Sequence, residues 1–434
     1  MVNQYAITPS QAGGTRHYDL ARELISRGHA VKIIASSFHH TSRAESGVHR
    51  NDEIWKTENV NGVEFLWLRT PSYNGNGLRR ILNFLHFALG VGWRRAMYRY
   101  SRPDIVIGSS PSPFAALAAE RLARRYRVPF VLEIRDLWPQ SLVDVGKVRP
   151  SHPFVRVLSQ LEKYLYRHAD HIVTLLPNAR ENMVKRGANP EAISWVPNGV
   201  KLPPQVSAAR PGTDRTFVAL YAGAHGTANA LGTVLDAASL LKKGSSNIRI
   251  VLVGNGPEKK RLQARTLSEK LSNVEFCDYV PKSDVFNLMA QADAFIFTLV
   301  RADVFSQGVS ANKLFGYMAA ARPVVFACQS SNNPIDEAEC GLTVAPEDPA
   351  ALAEALIQLS AFSPAEREAM GQRGRAYVER HHNIELLAGR LEQLLIGLVG
   401  SGAHAQTVRV LDALSFSAAP SERATRASPH STAE

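Results

Sequence analysis

Short continuous runs of Val, Ile, Leu and Phe recur along this chain, and longer amphipathic stretches separate them. In the first half the runs are Val31–Ala35, Ile105–Gly108 and Phe130–Ile134. In the second half they are Phe217–Tyr221, Ile248–Val253, Ala294–Thr298 and Pro323–Ala327. Between them lie helical patterns such as Tyr18–Arg27, Ala115–Tyr126 and Gly232–Lys243. A strand buried on one face alternates apolar with polar residues, and these runs do not alternate. They predict parallel strands covered by helices on both faces. Right-handed crossovers then make the fold a doubly wound α/β.

The pattern starts again near Thr216, after the Pro-, Gly- and small-residue-rich stretch Lys201–Asp214, which reads as a linker. Two domains of ordinary size follow, residues 1–200 and 201–383. A last helix at 384–400 and a tail at 401–434 complete the chain; the tail's Ser, Ala, Thr and Arg predict disorder. Only Met1–Ala6 precede the first loop. Either the first strand is very short or the natural start lies a few residues upstream, and the second is the expectation.

Charge narrows the partners. Lys and Arg number 50 against 39 Asp and Glu, a formal net charge of +11. Such a balance suits a phosphate-bearing partner: nucleic acid, an anionic membrane or a phosphorylated small molecule. The basic residues form no recognised nucleic-acid module, so nucleic acid is not expected. Cys277, Cys328 and Cys340 are too few and too scattered for a disulfide framework or a zinc pattern, which fits a reducing compartment. No apolar run reaches the ~20 residues that span a bilayer, and no signal peptide is visible. A cytoplasmic location is expected, peripheral to the inner face of the plasma membrane.

Several loops have the residue types that phosphate recognition needs. Gln11-Ala12-Gly13-Gly14-Thr15-Arg16-His17 lies between the first strand and a helix. Its glycines let backbone N–H groups approach an anion at a helix N-terminus, and Arg16 offers a fork of donors. The bland alternative is a tight turn with an exposed Arg16 and His17. Tyr221–Gly226 and Val253–Glu258 follow strands of the second half, at the carboxyl ends where α/β sheets bind ligands. Neither loop is a Walker motif or a complete GxGxxG. In Gly308–Ala320, Ser310 or Asn312 is positioned to cap a helix while Lys313 meets a diphosphate; the alternative is a capped helix with a solvated lysine. Arg135 and Asp136 close a strand of the first half, either facing an acceptor or forming a structural ion pair.

Together these segments resemble the retaining glycosyltransferases of family 4. The stretches GGTRHYDLARELISRGH, EIRDLWPQS, VPNGV, YAGAHG, VGNGPEK, NKLFGYMAAARPV and CGLTVAPED occur in that family's order, over about residues 3–390. The nearest subgroup is the fucosamine transferase-like enzymes of bacterial surface-polysaccharide assembly. The resemblance implies the GT-B fold, two facing Rossmann-like domains, with a nucleotide-sugar donor between them. It implies that Gly13 and Gly14 border the donor diphosphate and that Arg16 and His17 lie close to the reaction. Gly223, His225 and Gly226 would line the pyrophosphate, and Gly256 and Val280 the base. Ser310, Asn312, Lys313 and Leu314 would serve sugar and phosphate, with Asp136 and Arg135 facing the acceptor. The last helix would cross back to brace the first domain.

Two departures stand out. The family often carries glutamates where this chain has Gly308 and Gly316, and the second usually grips the ribose. The usual basic pair after the first strand of the second domain is also missing, since Gly226–Asp236 holds no base. Diphosphate neutralisation should then fall on backbone amides, His225, Lys313 and Arg16. No DxD-type cluster is evident and Asp303 is a lone carboxylate, so neither a metal nor another cofactor is expected beside the UDP-sugar substrate.

Leu78–Arg102 has six arginines and no acid around an apolar stretch. That composition fits an interfacial helix on anionic lipid, or else a core-packed helix with solvated arginines. A polyprenyl-diphosphate-linked glycan acceptor would favour the first. The sequence thus points to a transferase moving an N-acetylated deoxyhexosamine from UDP. The rivals are a UDP-sugar 2-epimerase and a non-catalytic nucleotide-sugar-binding scaffold.

Overall fold

The computed structural model describes residues 1–11, 13–38, 53–73, 77–92, 101–203, 216–280 and 282–401. Residues 93–100, most of the Lys201–Asp214 stretch and the tail from 402 onward lie outside them.

The first domain contains β1 (Lys32–Ser36), β2 (Trp55–Val60), β3 (Val63–Leu68), β4 (Val106–Ser109), β5 (Phe130–Ile134), β6 (His171–Thr174) and β7 (Ile193–Trp195). Strands β1, β3 and β2 form one ribbon, and β4 to β7 pair in sequence. Val2 joins the two by parallel bridges to Ile34 and Gly108, so residues before the first loop occupy a central position. The pairings are parallel except β2 with β3, an antiparallel hairpin. Its turn is Asn61-Gly62, both at positive φ. That conformation matches the twist of adjoining strands, and Asn-Gly adopts it readily.

The second domain has one six-stranded sheet, order β10-β9-β8-β11-β12-β13. These are β8 (Phe217–Ala222), β9 (Ile248–Val253), β10 (Val274–Cys277), β11 (Ala294–Thr298), β12 (Val324–Ala327) and β13 (Gly341–Val344), all parallel. Strands β11 and β12 are buried at every residue, as their unbroken apolar runs require. Core clusters form on both faces of this sheet: Phe295, Phe297 and Phe326 lie on one side, Ile250, Leu252 and Ile296 on the other.

The chain crosses between domains near Val200, which bridges to Asn383. The Ile384–Ser401 helix then returns to the first domain and packs against the Arg16–Ser26 helix. Leu387, Leu391 and Leu394 bury there with Leu20 and Leu24. Each such leucine contributes roughly 1.5–3 kcal/mol, enough for this seam to hold the helix against the first domain. Glu392 adds contacts to Arg27 (3.1 Å) and His29 (2.7 Å) at the edge.

Candidate functional site

The two sheets meet at their carboxyl ends. After β7, the Asn198 N–H donates to Ser310 Oγ (2.9 Å), and its amide donates to the Ser310 carbonyl. After β6, the Asn178 N–H donates to the Gln307 carbonyl (3.2 Å) and Nδ2 donates to Ser331 Oγ (2.7 Å). Gly14 lies so close to Asn312 that a Cβ there would come within 2.2 Å of Nδ2. The turn Asp303–Gln307, just before the Gly308–Lys313 loop, inserts Val304 into the core of the first domain. Loops at strand carboxyl ends therefore line a cleft from both sides, the place where open α/β sheets bind ligands.

On the second-domain side, the Tyr221–Gly226 and Val253–Glu258 loops lock together. The Gly223 N–H donates to the Val253 carbonyl (3.0 Å) and the His225 N–H to Asn255 (2.8 Å). Gly254 has φ +136°, and a Cβ there would lie 2.0 Å from the Gly223 carbonyl oxygen, so only glycine permits this approach. The Tyr317 hydroxyl accepts from the Ala222 N–H (2.8 Å) and donates to its carbonyl (3.0 Å), tying the Asn312–Ala319 helix to the same strand end.

Lys313 reaches across this corner. Its ammonium donates to Tyr221 Oη (3.1 Å) and to Asn229 Oδ1, and lies 4.7 Å from the Tyr221 ring centroid and 5.1 Å from that of Phe297. Burial lowers its pKa to about 7, slightly opposed by Cys328. No carboxylate among the described residues forms an ion pair with it. Nearby helix starts are also open. Ala311 precedes the Asn312–Ala319 helix and Ala230 the Leu231–Lys243 helix, and neither offers a capping side chain. Unpaired N–H groups at a helix N-terminus and a poorly compensated lysine favour an anion.

Several residues take places other than those expected. Arg16 does not face phosphate. Its guanidinium is buried, with Nε donating to Glu133 Oε1 (2.8 Å), Nη2 to the Val196 carbonyl (2.9 Å) and Nη1 to Pro197. His17 is buried beside it: Nε2 lies 2.8 Å from Glu133 Oε2, while Asn3 Nδ2 approaches Nδ1 at 2.9 Å. Burial lowers the His17 pKa, and the neutral Nε2–H tautomer satisfies both contacts. His225 also departs from the expectation of a phosphate contact. Its ring is fully buried between Tyr221 and Phe276, and neither nitrogen has a well-formed hydrogen bond among the described residues. Burial, ahead of Lys259 and Lys313, lowers its pKa to about 4 and leaves it neutral. The Leu314 side chain is core. Neither Ser310 nor Asn312 caps the helix: Ser310 binds Asn198, and Ala311 is the capping position.

Gly13, Gly14, Gly223, Gly226, Gly256 and Val280 are at least partly open. Arg135 and Asp136 form no ion pair with each other, and the Arg135 Nε has no partner among the described residues. Asp136 is open to solvent just after β5, at the mouth of a first-domain pocket with Ser110 and Trp138, yet protein surrounds it closely enough that desolvation raises its carboxyl, with Arg135 opposing. The sequence reading missed Tyr221, Asn229, Tyr317 and Asn198 as site-building residues. Asn229 had one signal: it lies in the stretch that lacks a base, and it serves the lysine that remains.

Two parallel α/β halves facing each other across an anion-receptive cleft define a GT-B protein. The Glycosyl transferase 4-like domain family matches residues 12–199, and Glycosyl transferases group 1 matches residues 216–361. With both halves matched in that order, the chain belongs to the GT-B glycosyltransferases of the family 4 type. It is 23% identical over 59% of its length to an Escherichia coli K12 protein named as a colanic acid biosynthesis glycosyl transferase, WcaI, and the match spans 66% of that relative. A Pseudomonas aeruginosa protein named as the glycosyltransferase WbjE is 21% identical over 64% of the chain and 73% of its own length. The fold is shared with a sucrose-phosphate synthase from Thermosynechococcus elongatus: TM-score 0.70, 17% identity, 90% of this chain and 94% of the other. Anabaena HepE in complex with UDP and glucose gives TM-score 0.63 at 14% identity, over 91% and 99% of the two chains.

Proposed function

We propose that this chain is a retaining transferase that moves a sugar, an N-acetylated deoxyhexosamine, from UDP to a lipid-linked glycan during surface-polysaccharide assembly. The observation that carries the reading is Lys313, an ammonium without a carboxylate partner among the described residues, set beside uncapped helix starts at the meeting of two strand ends. Such a corner fits a donor diphosphate. The UDP complex of the HepE neighbour and the colanic acid biosynthesis named for the Escherichia coli relative support the substrate class.

The chemistry follows from where charge develops. The bond from the anomeric carbon to the diphosphate oxygen breaks, and the acceptor oxygen bonds to the same face of that carbon. The acceptor's proton passes to the departing phosphate oxygen. Lys313 and backbone N–H groups stabilise the growing negative charge, without a metal, and fixed donors of this kind usually contribute more to such catalysis than any other single effect. Asp136 and Arg135 face the acceptor from the opposite wall.

Turnover of UDP- and GDP-sugars with lipid-linked acceptors, in EDTA, tests this directly. Transfer from a UDP-sugar that EDTA does not inhibit supports the reading. Binding without transfer across the panel favours the scaffold, and release of an interconverted free sugar favours the epimerase. Asp136→Asn should lower transfer about tenfold to a hundredfold, the worth of one hydrogen bond to a charged group, with UDP affinity unchanged by calorimetry. Equal loss of both would remove Asp136 from the acceptor side.

A further inference from the structure

The Leu78–Gly92 helix has two unlike faces. Asn83, Phe84, Phe87, Gly90 and Val91 are buried. Leu78, Leu82, Leu85 and Leu89 are exposed, at 78%, 58%, 38% and 75%. Their spacing of four, three and four residues puts all four on one stripe along three turns. A soluble helix usually turns charged residues outward there, and a contiguous exposed apolar stripe marks an interaction surface.

What covers it is indicated by charge. Arg79 and His86 are exposed on the same helix, Arg102 is exposed farther on, and residues 78–102 hold no acid. A second copy of the chain would set like charges against each other. An anionic bilayer would pair with the arginines while accepting the leucines, the combination that holds an interfacial helix. At 1.5 Å per residue the stripe is about 16 Å long, suited to lying in the interface. No helix among the described residues is long and apolar enough to cross a membrane.

The buried face connects this helix to the acceptor wall. The Arg80 guanidinium lies 5.7 Å from the Trp138 ring centroid, two residues after Asp136. Asn83 Nδ2 donates to Thr70 Oγ1 (2.8 Å) and the Pro71 carbonyl (2.7 Å), and its Oδ1 accepts from Gln4 (2.5 Å). We infer that the Leu78–Leu82–Leu85–Leu89 stripe inserts into an anionic lipid surface and thereby sets the Trp138–Asp136 wall next to the membrane that carries the acceptor. This deepens the proposed use of a lipid-linked acceptor and rests on it for its purpose, though not for its test.

The test is co-sedimentation of the full chain with phosphatidylcholine vesicles containing phosphatidylglycerol, with no donor or acceptor present. Wild type should pellet with the anionic vesicles. Leu82→Glu/Leu89→Glu should bind at least about tenfold more weakly, with unchanged thermal melting and UDP affinity. Arg79→Gln should weaken binding mainly at low salt. Wild type left in the supernatant, or the double variant pelleting like wild type, overturns the inference. So does a wild-type dimer by light scattering that the double variant converts to monomer, since the stripe would then cover a second copy. Because no sugar is transferred in this assay, failure here leaves the transferase reading standing. Failed transfer by a chain that still binds vesicles would instead count against that reading.

Discussion

Lys313→Met is expected to lower kcat/KM for the UDP-sugar by about 10²–10³, the usual loss when one preorganised donor at a site of developing charge is removed. Methionine keeps the stem against Tyr221 and Phe297 and deletes only the ammonium, so the fold should survive. A pH series supplies the sharper evidence. Burial holds the free Lys313 pKa at about 7, and a bound diphosphate favours the charged form. Donor binding should therefore take up a proton above pH 7 and weaken as pH rises, by up to about tenfold per unit. Well below pH 7 the lysine is already charged and the dependence should flatten. The diphosphate of a nucleotide sugar stays fully ionised across neutral pH, and its uracil N3–H loses a proton only in more alkaline solution, so the slope near neutrality belongs to the protein. Calorimetry across about one pH unit on either side of the Lys313 pKa of about 7 should show that slope in wild type and its loss in Lys313→Met. The same slope in both would assign it to another titrating group, and no slope in either would leave phosphate binding to the backbone amides.

Strands buried on both faces were the most legible part of this chain. Phe130–Ile134, Ile248–Val253 and Ala294–Thr298 form with the boundaries that their apolar runs indicate. The Trp55–Val60 strand escaped because only one face is covered, and its Lys, Thr and Glu dilute the apolar signal. Asn61-Gly62 was its available cue.

The site was legible as loops and not as side-chain directions. A Gly-Gly turn followed by Arg16 and His17 has local chemistry suited to phosphate. What turns those side chains inward is Glu133 on β5 and the carbonyls of Val196 and Pro197, far along the chain. No local pattern carries that information. His225 illustrates the same point: its glycine neighbours mark the loop, while burial between Tyr221 and Phe276 decides what the ring can touch. Lys313 was legible as a position, since it follows the start of its helix and lies beside Gly223.

The Glu133 cluster makes the second large prediction. Glu133 accepts from Arg16, His17 and Ser109 (2.5 Å to Oε2), and all four residues are buried. Burial alone would raise its carboxyl, but His17 and the Arg16 charge hold it well below the usual range. Glu133→Ala should cost about 3–5 kcal/mol in unfolding free energy, because Arg16 would remain as a buried, uncompensated charge. Glu181→Ala, which breaks an exposed pair with Lys185, should leave stability unchanged. A depressed carboxylate stabilises the fold above its unfolded pKa, about 4.3, and loses that contribution as pH falls through the folded value. The gap between wild type and Glu133→Ala should thus narrow in acid. Arg16→Met/Glu133→Leu should recover part of the loss, since an apolar pair can replace a buried ionic one, but not all of it. The Val196 and Pro197 carbonyls would still lack their donor, and those residues lead directly to Asn198 and its hold on Ser310. Donor affinity should therefore stay weakened in the double variant even where melting recovers. Recovery of both together would confine Arg16 to stability and break the proposed link between the first-domain core and the donor loop.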